Sequence, residues 1–257
     1  MHPIERLRYV ARARGAGPSA IGREAAGALA GFADDPPALV TACRRLVDRH
    51  PTDGPVWWLA ARVLSAADPG TEAWRSAEIL ADDATVPEVA AALPGDATVL
   101  VVGWPESAAE AVRRRGDLVV LALDAGGDGD ELATRLARQG SDAITVPDAG
   151  VAAAVAECDL VLLEATAMGS DGFVAGIGSG AAASAAWVAQ VPVWLVAGVG
   201  RALPDRLWQS LLQRIDGDGM DPWDRAFEVV PRELVGRIFG PAAPECPIAP
   251  ELLRPIA

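Results

Sequence analysis

The segment Thr98-Val99-Leu100-Val101-Val102, followed at once by Gly103-Trp104-Pro105-Glu106-Ser107, decides how this chain is read. Five consecutive β-branched or leucyl residues ending at a glycine have the length and composition of a strand buried on both faces. Similar short runs recur at 118–123, 143–146, 160–163 and 193–197, and helical stretches are expected between them at 106–115, 131–139, 149–156 and 181–190. Apolar strands alternating with helices predict a parallel sheet covered on both sides, and right-handed crossovers make it doubly wound and Rossmann-like.

Upstream of this segment the period changes to that of helices. Ile4, Leu7, Val10 and Ala11 share a face, as do Ile21, Ala25, Leu29 and Phe32. Pro36-Pro37 opens a helix carrying Leu39, Cys43, Leu46 and Val47, and His50 closes it as a C-terminal cap. Thr71 is expected to cap a further helix that aligns Trp74, Ala77 and Leu80. Trp57 and Trp58 diverge by about 100° on a helix, so one of them is expected to pack against the second half or a partner subunit. The predicted class is therefore α/β: an N-terminal helical domain over residues 1–95, then a Rossmann-like parallel-sheet domain over 96–257. Downstream of the last parallel strand, the pattern predicts a helix at 204–215, an edge strand at 227–230 and a helix at 232–239. A proline-rich tail after Gly240 is expected to be extended.

Composition narrows the chemistry. All 22 basic residues of the 257 are arginine, against 35 acidic ones, for a net charge of −13. Such a surface repels phosphate backbones, so broad nucleic-acid binding is disfavoured. The absence of lysine removes a Schiff-base lysine and the lysine of a Walker A loop. No apolar run approaches the roughly 20 residues that span a bilayer. Three cysteines without CxxC spacing suit a reducing cytoplasm better than a disulfide framework, and two histidines make a His-rich metal site improbable. Neither a metal nor a cofactor is expected, and Asp216-Gly217-Asp218 with Asp221 reads as a turn because a calcium loop's glycine and final glutamate are missing.

In an open parallel sheet, ligands collect beyond the carboxyl ends of the strands, a rule that selects the segments 103–107, 124–128, 147–148, 164–180 and 198–201. The most informative such segment lies between Glu164 and Gly180, where Gly176-Ile177-Gly178-Ser179-Gly180 runs into an alanine-rich helix whose free amides suit an anion. The spacing GxGxG, placed after a late strand, is not the dinucleotide fingerprint. Arg201, just past the last parallel strand, is a candidate for bidentate pairing with phosphate or carboxylate. Asp148, Glu164 and Asp171 are acid/base candidates, with helix capping the competing role for Asp148.

The runs Asp142–Val151, Cys158–Ala165, Asp171-Gly172, Ile177-Gly178-Ser179 and Val191–Ala197 occur in an order that resembles one superfamily. It contains the alpha, beta and delta regulatory subunits of translation initiation factor 2B and the isomerases of methylthioribose 1-phosphate and ribose 1,5-bisphosphate. A late Phe227-Glu228-Val229-Val230-Pro231 segment fits the same pattern. The resemblance covers roughly residues 97–240. It implies a helical N-terminal domain, a homodimer or a related partner subunit, and a phosphorylated sugar or nucleotide as ligand. Asp171, Gly172, Gly178, Ser179 and Arg201 are its implied ligand-binding residues. The isomerases' catalytic cysteine has no counterpart in Val102–Ser107, and Glu164-Ala165-Thr166 stands where their aspartate lies. The resemblance thus implies a non-catalytic relative; the alternative is an aldose–ketose isomerase with rearranged groups, using Glu164 or Asp148 as base.

Overall fold

A computed structural model of the chain describes residues 18–241 together with Glu5. From residue 18 onward five helices precede the first strand: α1 (Pro18–Leu29), α2 (Pro36–Arg49), α3 (Gly54–Ser65), α4 (Pro69–Ala81) and α5 (Thr85–Ala92). Their starts follow local chemistry. Asp35 caps α2 by accepting from Ala38 N at 3.0 Å, and Pro36 and Pro37 occupy positions where no intrahelical donor is needed. Asp68, rather than Thr71, caps α4, accepting from Thr71 N and Thr71 Oγ1 at 3.0 and 2.6 Å. The expected face of α4 is also turned: Ala73, Ser76 and Leu80 are buried, whereas Trp74 is 54% exposed. His50 is the C-cap residue of α2, with Nδ1 3.3 Å from Asp53 Oδ2.

The alternation then begins: β1 (Thr98–Val102), α6 (Glu106–Arg113), β2 (Val119–Leu123), α7 (Asp128–Arg138), β3 (Asp142–Val146), α8 (Val151–Glu157) and β4 (Leu160–Glu164). A hairpin, β5 (Ala167–Met168) and β6 (Gly172–Gly176), precedes α9 (Ser179–Ala189), β7 (Val193–Val196), α10 (Asp205–Asp216), β8 (Phe227–Pro231) and β9 (Arg237–Phe239). Six strands form one parallel sheet in the order β3-β2-β1-β4-β7-β9. The five strands expected from the apolar runs at 98–102, 118–123, 143–146, 160–163 and 193–197 are all in this sheet. Each side carries its own apolar cluster, with α8 and α9 on one side and α5, α6 and α7 on the other.

Two expectations fail downstream. The strand at 227–230 does not edge the parallel sheet: β8 pairs with β6, which also pairs with β5, in a small antiparallel sheet. Nor is 232–239 a helix. Arg232–Leu234 is a single 3-10 turn, and Arg237–Phe239 becomes the outermost parallel strand, fixed by Gly236 N to Val193 O at 2.9 Å and Ala197 N to Phe239 O at 2.8 Å. Gly236 and the β-branched and aromatic residues around it favour extended chain once an open edge is available. The first expected helical face, at Ile4–Ala11, and the tail after Pro241 lie outside the described residues.

The helical half shares a core with the small antiparallel sheet and α10. Ile21, Leu29, Leu46, Trp57 and Leu59 join Val174, Leu207, Trp208 and Leu211 in one buried cluster. α3 is apolar on all sides and buried accordingly, so both tryptophans are covered. Trp57 donates Nε1–H to Pro51 O at 2.9 Å and lies under Arg214 of α10, while Trp58 meets the Gly200 backbone. Gly54 explains how α3 comes so close. Its N–H donates to Thr166 O at 2.9 Å, and a Cβ there would lie 2.9 Å from both Arg201 Cα and Gly200 O.

Candidate functional site

Between the carboxyl ends of β1 and β4 the strand order reverses, and a cleft of about 720 Å3 opens there. Its lining comes from four strand-end segments. β1 leads into Trp104 and Glu106, β2 into Ala125 and Asp128, β4 ends at Glu164, and β6 leads into Ile177 and Ser179. Glu131 and Arg135 of α7 complete one wall. Arg135 stacks on the Trp104 indole, 5.3 Å from the ring centre. Four carboxylates thus face the cleft against one guanidinium, so its field is negative.

Behind this wall Arg201 is fully buried. Its Nη1 donates to Glu164 Oε1 and, at 2.9 Å, to Ala165 O; Nη2 donates to Ser107 Oγ at 3.0 Å. Its Nε has no hydrogen-bond partner among the described residues. Glu164 is engaged on its other side, where Oε2 accepts from Ser107 N and Ala108 N at 2.7 and 2.9 Å. These are free amides at the start of α6, and a carboxylate there is favoured by the helix dipole. Glu106 Oε2 sits 3.9 Å from Arg201 Nη2, beyond hydrogen-bond reach. Burial pushes the Glu106 carboxyl above its ordinary range and the Glu164 charge adds to the rise, while Arg201 and Arg23 offset part of it.

The same device recurs along the carboxyl edge. At the start of α9, Gly180 N donates to Glu228 Oε1 at 2.9 Å. The preceding Ile177 N donates to Ala226 O at 3.1 Å. In the loop after β7, Val199 N donates to Asp83 Oδ2 at 2.8 Å. In the loop after β2, Ala125 N donates to Asp148 Oδ1 at 2.8 Å. Four loops that could present amides to an anion each have one or more amides held by a carboxylate of the chain itself.

The structure brings together only some of the candidate residues. Glu164 and Ser179 line the cleft; Arg201 lies behind Glu164. Gly178, with φ +94°, supplies the left-handed cap before α9, and a Cβ there would lie 3.3 Å from Leu123 Cδ2 and 3.5 Å from Val102 Cγ1. Asp148 lies outside the lining and braces Ala125, without capping a helix. Asp171 lies in the hairpin turn before β6, where its Oδ1 accepts from Trp208 Nε1 at 2.6 Å, and Gly172 opens β6 and pairs with Pro231. Trp104, Glu106, Asp128, Glu131 and Arg135 were not singled out by sequence, although the first three sit in strand-end segments that the switch-point rule selects. Asp218 is held by Arg225 Nη2 at 2.7 Å, and no carboxylate, histidine or cysteine cluster among the described residues is arranged to hold a metal. No helix among them is long and apolar enough to cross a membrane.

The sequence matches no protein-family model and no curated protein. The fold, in contrast, is shared with solved structures. The translation initiation factor eIF-2B of Pyrococcus horikoshii OT3 superposes with a TM-score of 0.75 at 17% identity, covering 92% of this chain and 94% of that one. A chain of the tetrameric eIF2B-beta2-delta2 complex of Chaetomium thermophilum gives 0.69 at 16% identity, covering 92% and 88%. The 5-methylthioribose 1-phosphate isomerase of P. horikoshii OT3 gives 0.61 at 18% identity, covering 92% and 82%. At these identities the likeness establishes the fold.

Proposed function

We propose that this chain, which has the fold of eIF2B subunits and of a 5-methylthioribose 1-phosphate isomerase, is a non-catalytic assembly subunit of the eIF2B-like kind. The observation that carries this reading is the commitment of Glu164. It opens the Glu164-Ala165-Thr166 stretch that resembles the isomerases' aspartate-bearing segment, and it is tied to Arg201 on one side and to two α6 amides on the other. Both oxygens of this carboxylate are thus occupied by donors of the chain itself, which suits a brace better than a group open to a substrate. Asp148, the other candidate base of the isomerase alternative, is outside the cleft.

Self-association, or pairing with a related subunit, is part of this reading and is supported by the fold's recurrence in a beta2-delta2 complex. Free, buried Cys43 and Cys158 support a reducing compartment, and we place the protein in the cytoplasm. Burial pushes the Cys43 thiol up to about 12, which makes it chemically inert.

A second reading keeps a phosphorylated sugar or nucleotide in the cleft, held by Arg135 and Ser179. It is favoured by the presence of both residues in the lining beside the Gly176–Ile177 backbone. The acidic surroundings and the occupied Gly180 amide argue for the first reading. Thermal-shift measurements with a panel of sugar phosphates and nucleotides separate the two: no saturable shift is expected, and a shift abolished by Arg135→Ala supports the second.

A further inference from the structure

Amides that could hold an anion at the starts of α6 and α9 are taken by Glu164 and Glu228, and what is left in the switch-point cleft has the opposite preference. Its lining carries four carboxylates, Glu106, Asp128, Glu131 and Glu164. Two guanidiniums stand against them, Arg135 in the lining and Arg201 behind Glu164. With every carboxylate ionised, four charges against two leave an excess of two negative charges, in a cleft whose protein walls strengthen their field. The Glu106 side chain adds an independent sign of a missing partner. Its Oε2 is fully buried and has no hydrogen-bond partner among the described residues, and Arg201 Nη2 stands 3.9 Å away. Buried oxygens are normally satisfied, so an orphaned carboxylate oxygen in a cleft wall points to a donor brought by a ligand.

The distribution of charge identifies the kind of cation. No three of these carboxylates are grouped so as to hold a single metal ion. They are spread instead over two elements, Glu106 at the start of α6 and Asp128 and Glu131 in the first turn of α7. The lining also includes the apolar side chains of Val102, Leu163 and Ile177. Separated negative groups with apolar surface suit an aliphatic chain that carries an ammonium at each end, since an ammonium has three donors and no acceptor. Arg135 already lies over the Trp104 indole, 5.3 Å from the ring centre, so this wall holds one cation against an aromatic ring. A volume of about 720 Å3 is that of a small-molecule site.

We infer that the cleft between the ends of β1 and β4 binds an aliphatic diamine or polyamine, with one ammonium at Glu106 Oε2 and another at the Asp128 and Glu131 carboxylates. This goes beyond the assembly reading and does not depend on it. Isothermal titration of the full chain with 1,5-diaminopentane at physiological salt tests it, beside n-pentylamine and magnesium chloride at equal ionic strength. The diamine is expected to bind saturably, one molecule per chain, and n-pentylamine about ten-fold more weakly or worse. Glu106→Gln and Glu131→Gln should each weaken diamine binding about ten-fold or more. Glu157→Gln should leave it unchanged, because that exposed carboxylate ends α8 at the opposite edge of the sheet, before β4 begins. Equal binding in wild type and the cleft variants, equal weakening in all three variants, or an equal response to magnesium would mean that the diamine only screens the net charge of −13, and each overturns the site. Absence of diamine binding overturns it too and leaves the assembly reading standing. If Glu106→Gln fails to fold, Glu131→Gln decides.

Discussion

Glu164, at the end of β4, and Arg201, in the loop after β7, form an ion pair whose two side chains are almost wholly withdrawn from solvent. The pair joins neighbouring strands to the start of α6 through Ser107 and Ala108, and it converts a potential anion site into a structural brace. Removing one partner strands the other as a buried charge. Arg201→Met is therefore expected to cost about 3–5 kcal/mol of unfolding free energy. Glu164→Met with Arg201→Met should cost less than the two single losses added. Urea unfolding of the four chains measures the coupling, and an Arg201→Met chain as stable as wild type contradicts the brace.

Glu228 fills the start of α9 as Glu164 fills that of α6. Glu228→Ala should lose about 1 kcal/mol, the usual value of a helix cap. The variant should then gain thermal stability from added sulfate, which wild type does not. Gly180→Ala attacks the same contact sterically, because its Cβ would lie 2.7 Å from Glu228 Oε2. Sulfate response in both variants and not in wild type is the expected pattern; an equal response in all three counts against it.

Glu106 makes a pH prediction. Its carboxyl is raised from an ordinary value near 4.5, first by burial and then by the Glu164 charge. A group raised on folding contributes stability that is full below its unfolded pKa and is lost as pH rises through the folded one. Ionised Glu106 thus opposes folding at neutral pH, and Glu106→Gln should raise Tm at about pH 8 while leaving it unchanged near pH 4. A Tm gain that does not depend on pH contradicts the assignment.

Gly54 tests the junction of the helical half with the sheet. A Cβ there meets backbone on three sides, at 2.8 Å from Thr166 O and 2.9 Å from Arg201 Cα and Gly200 O. Backbone cannot rotate away as a side chain can, so Gly54→Ala is expected to cost at least about 1–3 kcal/mol. Denaturant unfolding measures it, and a neutral substitution would mean that α3 sits further from the sheet.

The parallel sheet was legible because each of its inner strands is a short apolar run between helices, as at Thr98–Val102. The hairpin β5–β6 was not, because a two-residue strand and a glycine-rich partner carry no periodic signal. Strand β9 was hidden for a related reason: three residues after Gly236 are extended only because β7 offers an open edge, which is a tertiary fact. In the site, the switch-point rule selected the segments holding Trp104, Glu106 and Asp128. It could not show that Arg201 points inward, since a cation at a strand end looks the same in sequence whether it meets a ligand or Glu164. Glu228 and Asp83 reach the carboxyl edge from far along the chain, and no local pattern reveals that.

The most direct measurement follows methylthioribose 1-phosphate and ribose 1,5-bisphosphate by NMR in the presence of the wild-type chain. With the carboxylate beside the cleft already engaged, both sugars should remain aldoses. The appearance of a ketose phosphate, lost in Glu164→Gln, would contradict the account.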